Sequence, residues 1–189
     1  MLFHFLLFLI QSNSGVTGIG GFVKFGFDYP GKKAELLTSL SIQVKTPPPQ
    51  NSNVDSTIVQ PTGYWVVATP QHHELVVTVK GPEGLIIDPP SQFIQYPFNS
   101  NVDFQIVGFS AYGQISTAQP DGSLIKVLSP LTVEVTNGKD LTLTTTTTDG
   151  TYSIGPLPPG QYTVSLKDAV AKSKTIVITT QSVKVDELI

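Results

Sequence analysis

The chain has 189 residues, with 11 Lys+Arg against 14 Asp+Glu and no cysteine. A net charge of -3 is no electrostatic footprint for nucleic acid, and the missing thiols exclude disulfides, thiolate metal sites and thiol catalysis. With 40% hydrophobic and only 13% charged residues the chain can bury a core, and its 15 Pro and 16 Gly set among Val, Ile, Thr and Tyr describe short strands joined by tight turns.

In chain order, the N-terminal run "MLFHFLLFLI" has the length of a signal-peptide apolar region, with Ser12 and Ser14 at −3 and −1 of a cut before Gly15. Residues 1–14 are therefore expected to be a signal peptide. No later segment approaches the ~20 apolar residues of a membrane-spanning helix. "GFVKFG" (21–26) reads as a short strand, "KAELLTSL" (33–40) as one helical turn or a strand, and "LSIQVK" (40–45) as a middle strand. "TGYWVVATPQHHELVVTVK" (62–80) reads as two strands around a turn at Pro70–His73. The pattern then returns: "GFSAYG" (108–113), "LTVEVT" (131–136), an Asn137-Gly138 turn, a β-branched Thr run from Leu143 to Thr148 expected at a sheet edge, and "DGTYSIGPLPPGQYTVSLK" (149–167). In the last stretch Pro158-Pro159 cannot sit inside a paired strand, so a turn is expected there, with Gly160 supplying a positive φ. Asp149-Gly150 signals a hairpin into Tyr152.

Residues 62–80 and 149–167 superpose at an offset of 87. Gly63 falls on Gly150, Trp65 on Tyr152, Val67 on Ile154, Leu75 on Tyr162, Val77 on Val164 and Val79 on Leu166. The same offset lays "GFVKFG" on "GFSAYG", with Gly21 on Gly108 and Phe22 on Phe109. Two copies of one unit follow from this. The alternation of Tyr162, Val164 and Leu166 against Thr163, Ser165 and Lys167 is that of a half-buried antiparallel strand.

Chemistry is sparse. His72, His73 and Glu74 are the clustered potential ligands, but adjacent His on an extended turn point apart, and a solvated turn is the expectation. Asp28, Asp55, Asp88, Asp103, Asp121 and Asp149 mostly stand beside Pro, Gly or Asn, where Asp makes Asx turns, and none shows calcium-loop spacing. There is no Gly-x-Ser-x-Gly elbow and no phosphate loop. Trp65 and Tyr152 are either stacking platforms for sugar or core aromatics, and their inward phase favours the core. A lysine–asparagine isopeptide bond needs a buried lysine, whereas the lysines here fall on polar phases or near turns. Catalytic, cofactor-binding and metal residues: none are expected. The C-terminal "VDELI" is like a retention tetrapeptide that ends one residue late.

The motifs "GGFVK", "GYWVV…ELVVTVKGPEGLIIDPPSQFI", "NVDFQIVGFSAYGQI" and "DGTYSIGPLPPGQYTV" resemble the N-terminal region of nodal modulator proteins, over nearly the whole chain after residue 15. The Gly-x-Tyr…Leu-Pro-Pro-Gly-x-Tyr part is shared with many carboxypeptidase-regulatory-like and collagen-adhesin B-type sandwiches. The resemblance implies a string of sandwiches in the endoplasmic reticulum lumen, non-enzymatic, working with nicalin in a complex associated with the translocon for multipass membrane proteins. This sequence departs from the family in holding two units and no anchor, and Ile19 stands where many members carry cysteine.

The expected fold is all-β: two tandem Ig-like (prealbumin-like) antiparallel sandwiches, residues 15–107 and 108–189. The expected inward residues are Phe22, Val44, Trp65, Val67, Leu75, Val77, Val79, Phe109, Val133, Val135, Tyr152, Ile154, Tyr162, Val164 and Leu166. The expected role is a non-catalytic structural or interaction module in the secretory pathway, without cofactor or nucleic acid, reaching a membrane only through a partner or an anchor outside this sequence. The alternatives are a carbohydrate-binding module, with Tyr29, Tyr96 and Phe98 as loop aromatics, and an accessory domain of a secreted peptidase.

Overall fold

A computed structural model describes residues 16–70, 74–97, 101–147, 149–167 and 173–186. The expected signal segment 1–14, His72, His73 and Phe98 lie outside these residues. The described residues are all-β apart from one short helix. The first half runs β1 (Val16–Phe25), α1 (Lys33–Thr38), β2 (Ser41–Lys45), β3 (Asn53–Ile58), β4 (Tyr64–Pro70), β5 (Glu74–Lys80), β6 (Leu85–Asp88) and β7 (Ser91–Gln95). The second half runs β8 (Phe104–Gln114), β9 (Ser116–Ala118), β10 (Leu124–Lys126), β11 (Leu131–Thr136), β12 (Thr142–Thr147), β13 (Thr151–Leu157), β14 (Gly160–Leu166), β15 (Lys174–Ile178) and β16 (Val183–Lys184). Two compact units emerge. Of the described residues, unit 1 holds those up to Lys24, within Lys32–Pro82 and within Ile87–Gln105; unit 2 holds Phe25–Gly31, Glu83–Ile86 and those from Ile106 onward.

Unit 1 contains a four-stranded antiparallel sheet in the order β3-β2-β5-β7, and β1 pairs antiparallel with β4. Unit 2 repeats this with β12-β11-β14-β15 and with β8 against β13. The register repeats as well: Val44 faces Val77 where Val135 faces Val164, and Leu75 faces Ile94 where Tyr162 faces Ile176. In β2, β5 and β14 the buried positions alternate strictly, so each strand places one apolar row inward. Val44, Trp65, Leu75, Val77, Val133, Val135 and Val164 are completely enclosed.

One part of the sequence alignment is corrected. Gly21 pairs with Trp65, and Gly113 pairs with Tyr152. Because Trp65 and Tyr152 are equivalent, the counterpart of Gly21 is Gly113, not Gly108. The first strands therefore align five residues away from the offset of 87. An odd shift turns every side chain to the opposite face. That is why Phe109 is buried while Phe22 is half-exposed on the outer face, its ring 5.4 Å from that of Tyr64. The inward positions of β1 are Ile19, Gly21 and Val23.

The turns follow local chemistry. Asn137 Oδ1 accepts the backbone N–H groups of Lys139, Asp140 and Leu141, and Gly138 takes φ 74°. β12, with its Thr run, lies at the end of its sheet as expected. Asp149 Oδ1 accepts the amide and hydroxyl of Thr151, and these bonds hold its carboxyl down at about 2. This turn joins β12 to β13, which belong to different sheets, so it is a corner and not the expected hairpin. Pro158-Pro159 likewise carries the chain from β13 to β14 across sheets. Gly160 does not take the expected positive φ. It already pairs with Ile178, and the Tyr162 hydroxyl closes the turn by donating to the Pro158 carbonyl at 2.8 Å. "KAELLTSL" resolves as helix α1, whose Ala34-Glu35-Leu36-Leu37 are strong helix formers and whose Leu36 and Leu37 are buried.

Two substitutions test this packing by chemical denaturation. Tyr162→Ala is expected to cost ~3–5 kcal/mol through the lost ring and its hydrogen bond; a cost under ~1 kcal/mol contradicts the assigned phase. Gly63 has φ 85° and sits where a Cβ would strike the Val23 carbonyl, so Gly63→Ala is expected to cost about 1–3 kcal/mol.

Candidate strand-docking site

Unit 2 carries an open cleft of about 390 Å³ along β8. Its walls come from Ser110, Tyr112, Gly113 and Gln114 of β8, from Thr151–Ser153 of β13, and from Lys184 of β16 and Asp186 just after it. β8 lies between its neighbours here: β13 pairs with it antiparallel, and β16 pairs with it parallel, Val183 opposite Ala111 and Lys184 opposite Tyr112. A two-residue strand is too short to hold itself by ladder bonds alone, and side chains supply the rest.

Val185 donates its N–H to the Tyr112 carbonyl at 2.8 Å. Its own carbonyl lies over Gly113, where any Cβ would collide with it, and accepts the Tyr152 hydroxyl at 2.7 Å. Burial, and then the charge of Asp186, pushes the Tyr152 phenol well above its usual range, so it stays a donor. Asp186 Oδ1 accepts the Gln114 N–H at 2.9 Å, and Oδ2 pairs with Lys184 Nζ at 2.6 Å. The Lys184 ammonium, then the Gln114 amide, hold this carboxyl below the usual carboxylate range. The Asp186 carbonyl accepts Lys174 Nζ from β15.

Unit 1 contains the same constellation. Val102 donates its N–H to the Gly20 carbonyl at 3.0 Å, and its carbonyl lies over Gly21, which again leaves no room for a Cβ. Asp103 Oδ1 accepts the Phe22 N–H at 2.8 Å, and Oδ2 pairs with Lys24 Nζ at 2.6 Å. The Asp103 carbonyl accepts Gln92 Nε2 from β7. Gln92 stands two residues before Ile94, as Lys174 stands two before Ile176. Val102 and Val185 are both buried. A Val-Asp dipeptide thus closes each unit: a valine seated on a glycine, and a carboxylate taking the next backbone amide. Asp103 is not the Asx-turn residue expected from its neighbours, whereas Asp121 and Asp149 are.

The residues singled out in the sequence fall elsewhere. Glu74 is exposed and accepts Gln95 Nε2 at 3.2 Å. Among the described residues no group of three His, Asp or Glu is placed to hold a metal. No helix there is long and apolar enough to cross a membrane. Trp65 is completely enclosed, 6.5 Å from Phe104, with no partner for its Nε1 among the described residues, and so offers no sugar platform. Tyr29 is likewise buried, stacked at 4.9 Å on Phe25 and packed on Phe109, which removes it from the loop aromatics. Tyr96 is exposed. No lysine is among the buried residues described. The Val-Asp closure escaped the sequence reading because it recurs at an offset of 83, outside the frame of 87. Its signal was the pair "NVDF" and "KVDE".

No protein-family profile and no curated protein matches the chain. Among solved structures it is similar to the Bacillus anthracis TIE protein, at 14% identity and TM-score 0.37, over 90% of this chain and 34% of that one. It is similar to a streptococcal ancillary pilin at 11% identity and TM-score 0.37, over 93% of this chain and 63% of the pilin. A shaft pilin of Lactobacillus rhamnosus GG gives 9% identity and TM-score 0.33, over 92% and 98%. The chain therefore spans about a third of the first of these and under two thirds of the second.

Asp186→Ala is expected to lower stability by about 1 kcal/mol, since a charge-assisted bond to a backbone amide is lost at a partly exposed site. The depressed carboxyl contributes stability above its unfolded value near ~3.9, and loses it as pH falls through the lower folded value. The difference in melting temperature between the parent and Asp186→Ala should thus be constant from about pH 5 to 7 and shrink below about pH 4. A difference that grows on acidification contradicts the assignment.

Proposed function

We propose that this chain is a non-catalytic structural and interaction module built of tandem Ig-like, prealbumin-like sandwiches. The observation that carries this reading is the repetition itself. Strand order, cross-strand register and the Val-Asp closure all occur twice, which is the construction of a repeat array. Such an array offers partners its sheet edges, here β3 and β7 in unit 1 and β12 and β15 in unit 2. The resemblance of its sequence motifs to nodal modulator proteins supports a role in the endoplasmic reticulum lumen, with a nicalin-type membrane complex as the proposed partner and membrane association through that partner. The test is a tagged pull-down from the native organism's membranes with mass spectrometry and mapping of the mature N-terminus. Recovery of nicalin and translocon subunits, with a start near Gly15, supports the proposal. A cytosolic, uncleaved protein without membrane partners overturns it.

A second reading, a carbohydrate-binding module, is supported by one observation. Tyr112 lines the cleft in the same row as Ser153 and Lys184, on the face opposite buried Ala111. An aromatic among hydroxyl, amide and charged groups is a surface that suits a sugar ring. Saturable binding on a glycan array that Tyr112→Ala abolishes supports this reading; binding to no glycan removes it.

A further inference from the structure

We propose that the edge of β8 at Ser110–Gln114 is an acceptor site for an extended peptide carrying Val-Asp, filled here in cis by the chain's own Val183–Asp186. Recognition is by backbone addition to a sheet edge, with specificity set by three positions. Glycine at 113 admits only a backbone in close approach, so the incoming strand must lie flat with its carbonyl over that Cα. The Tyr152 hydroxyl fixes that carbonyl from a largely buried position, where an unmade bond would be costly. The amide of Gln114 donates one residue further on, where the short side chain of Asp186 brings a charged acceptor to 2.9 Å. Ser182 Oγ adds a contact upstream, 3.3 Å from the Ser110 amide, beside a Gly84 whose φ of 75° also leaves no space for a side chain.

Two facts separate this from an ordinary strand. First, the same recognition is written in unit 1 with different surroundings. Phe22 replaces Gln114, Gln92 replaces Lys174, and the lysine comes from β1 at Lys24 instead of from beside the aspartate at Lys184. What is common is the glycine, the valine backbone and the aspartate. Second, the bound segment in unit 2 is held by β16, only two residues of ladder, so its release breaks few backbone bonds. An acceptor edge whose specificity lies in Gly113, the Tyr152 hydroxyl and the Gln114 amide takes an extended segment that presents Val-Asp in register, as the same segment of a second copy does.

The experiment uses the full chain and a fluorescein-labelled peptide of its own residues 179–189. The variant Val185→Lys/Asp186→Ala replaces the buried valine side chain by a charged one and removes the carboxylate, and is expected to vacate the site while leaving every residue of the β8 edge unchanged. Its affinity for the peptide is expected to exceed that of the parent chain at least tenfold, because the parent's site is occupied. A peptide with Ala in place of Val and Asp should not bind. A variant with native far-UV spectrum that ignores the peptide overturns the proposal. If the variant does not fold, the parent chain decides. A photo-crosslinkable peptide in large excess is expected to label Tyr112–Gln114, and labelling scattered elsewhere, or none, overturns the proposal equally.

Discussion

The interaction on which each unit depends is a carboxylate accepting a backbone amide beside a glycine. In β1 and in β8 the glycine lets a second backbone come into contact with the strand, and the amide of the following residue would otherwise face outward without a sheet partner. Asp103 and Asp186 supply the acceptor. A charge-assisted bond of this kind is stronger than a neutral one. Its directionality also fixes the register of the segment that brings it, which matters more than the energy. A slip of one residue would put the valine on the wrong face and the carboxylate out of reach.

The rest of each unit is built around that edge. Within unit 1 the antiparallel sheet of β3, β2, β5 and β7 supplies Gln92 to the Asp103 carbonyl. Within unit 2 the sheet of β12, β11, β14 and β15 supplies Lys174 to the Asp186 carbonyl. The closing dipeptide thus bonds to the first strand through its amide and carboxylate, and to the edge of the other sheet through its carbonyl. The enclosed valines of β2, β5, β11 and β14 provide the apolar burial, and the polar closure adds directional bonds that hold the closing segment in register.

Much of this was legible in the sequence, for identifiable reasons. β5 and β14 alternate apolar and polar residues over a full strand, and period two admits one phase. Asn137-Gly138 and the Thr run declared a turn and an edge by local chemistry alone. The first strands were legible only as strands. "GFVKFG" and "GFSAYG" look alike, but their register comes from pairing with β4 and β13, and glycine-rich strands carry little phase information of their own. Phe22 was misplaced for that reason. Tyr29 stands next to Pro30 and reads as a loop residue; its burial depends on Phe25 stacking beside it and Phe109 packing against it, the latter a contact across 80 positions of sequence. The Val-Asp closure is two residues long and acts over a similar distance in the chain, so neither periodicity nor turn chemistry announces it.

The most direct measurement of the central claim is amide hydrogen exchange at Phe22 and Gln114 in the parent chain and in Asp103→Ala and Asp186→Ala. The account predicts that both amides are protected in the parent. Phe22 alone should exchange faster without the Asp103 carboxylate, and Gln114 alone without that of Asp186. Unchanged protection of these amides in the variants, or an equal loss throughout the chain, would contradict it.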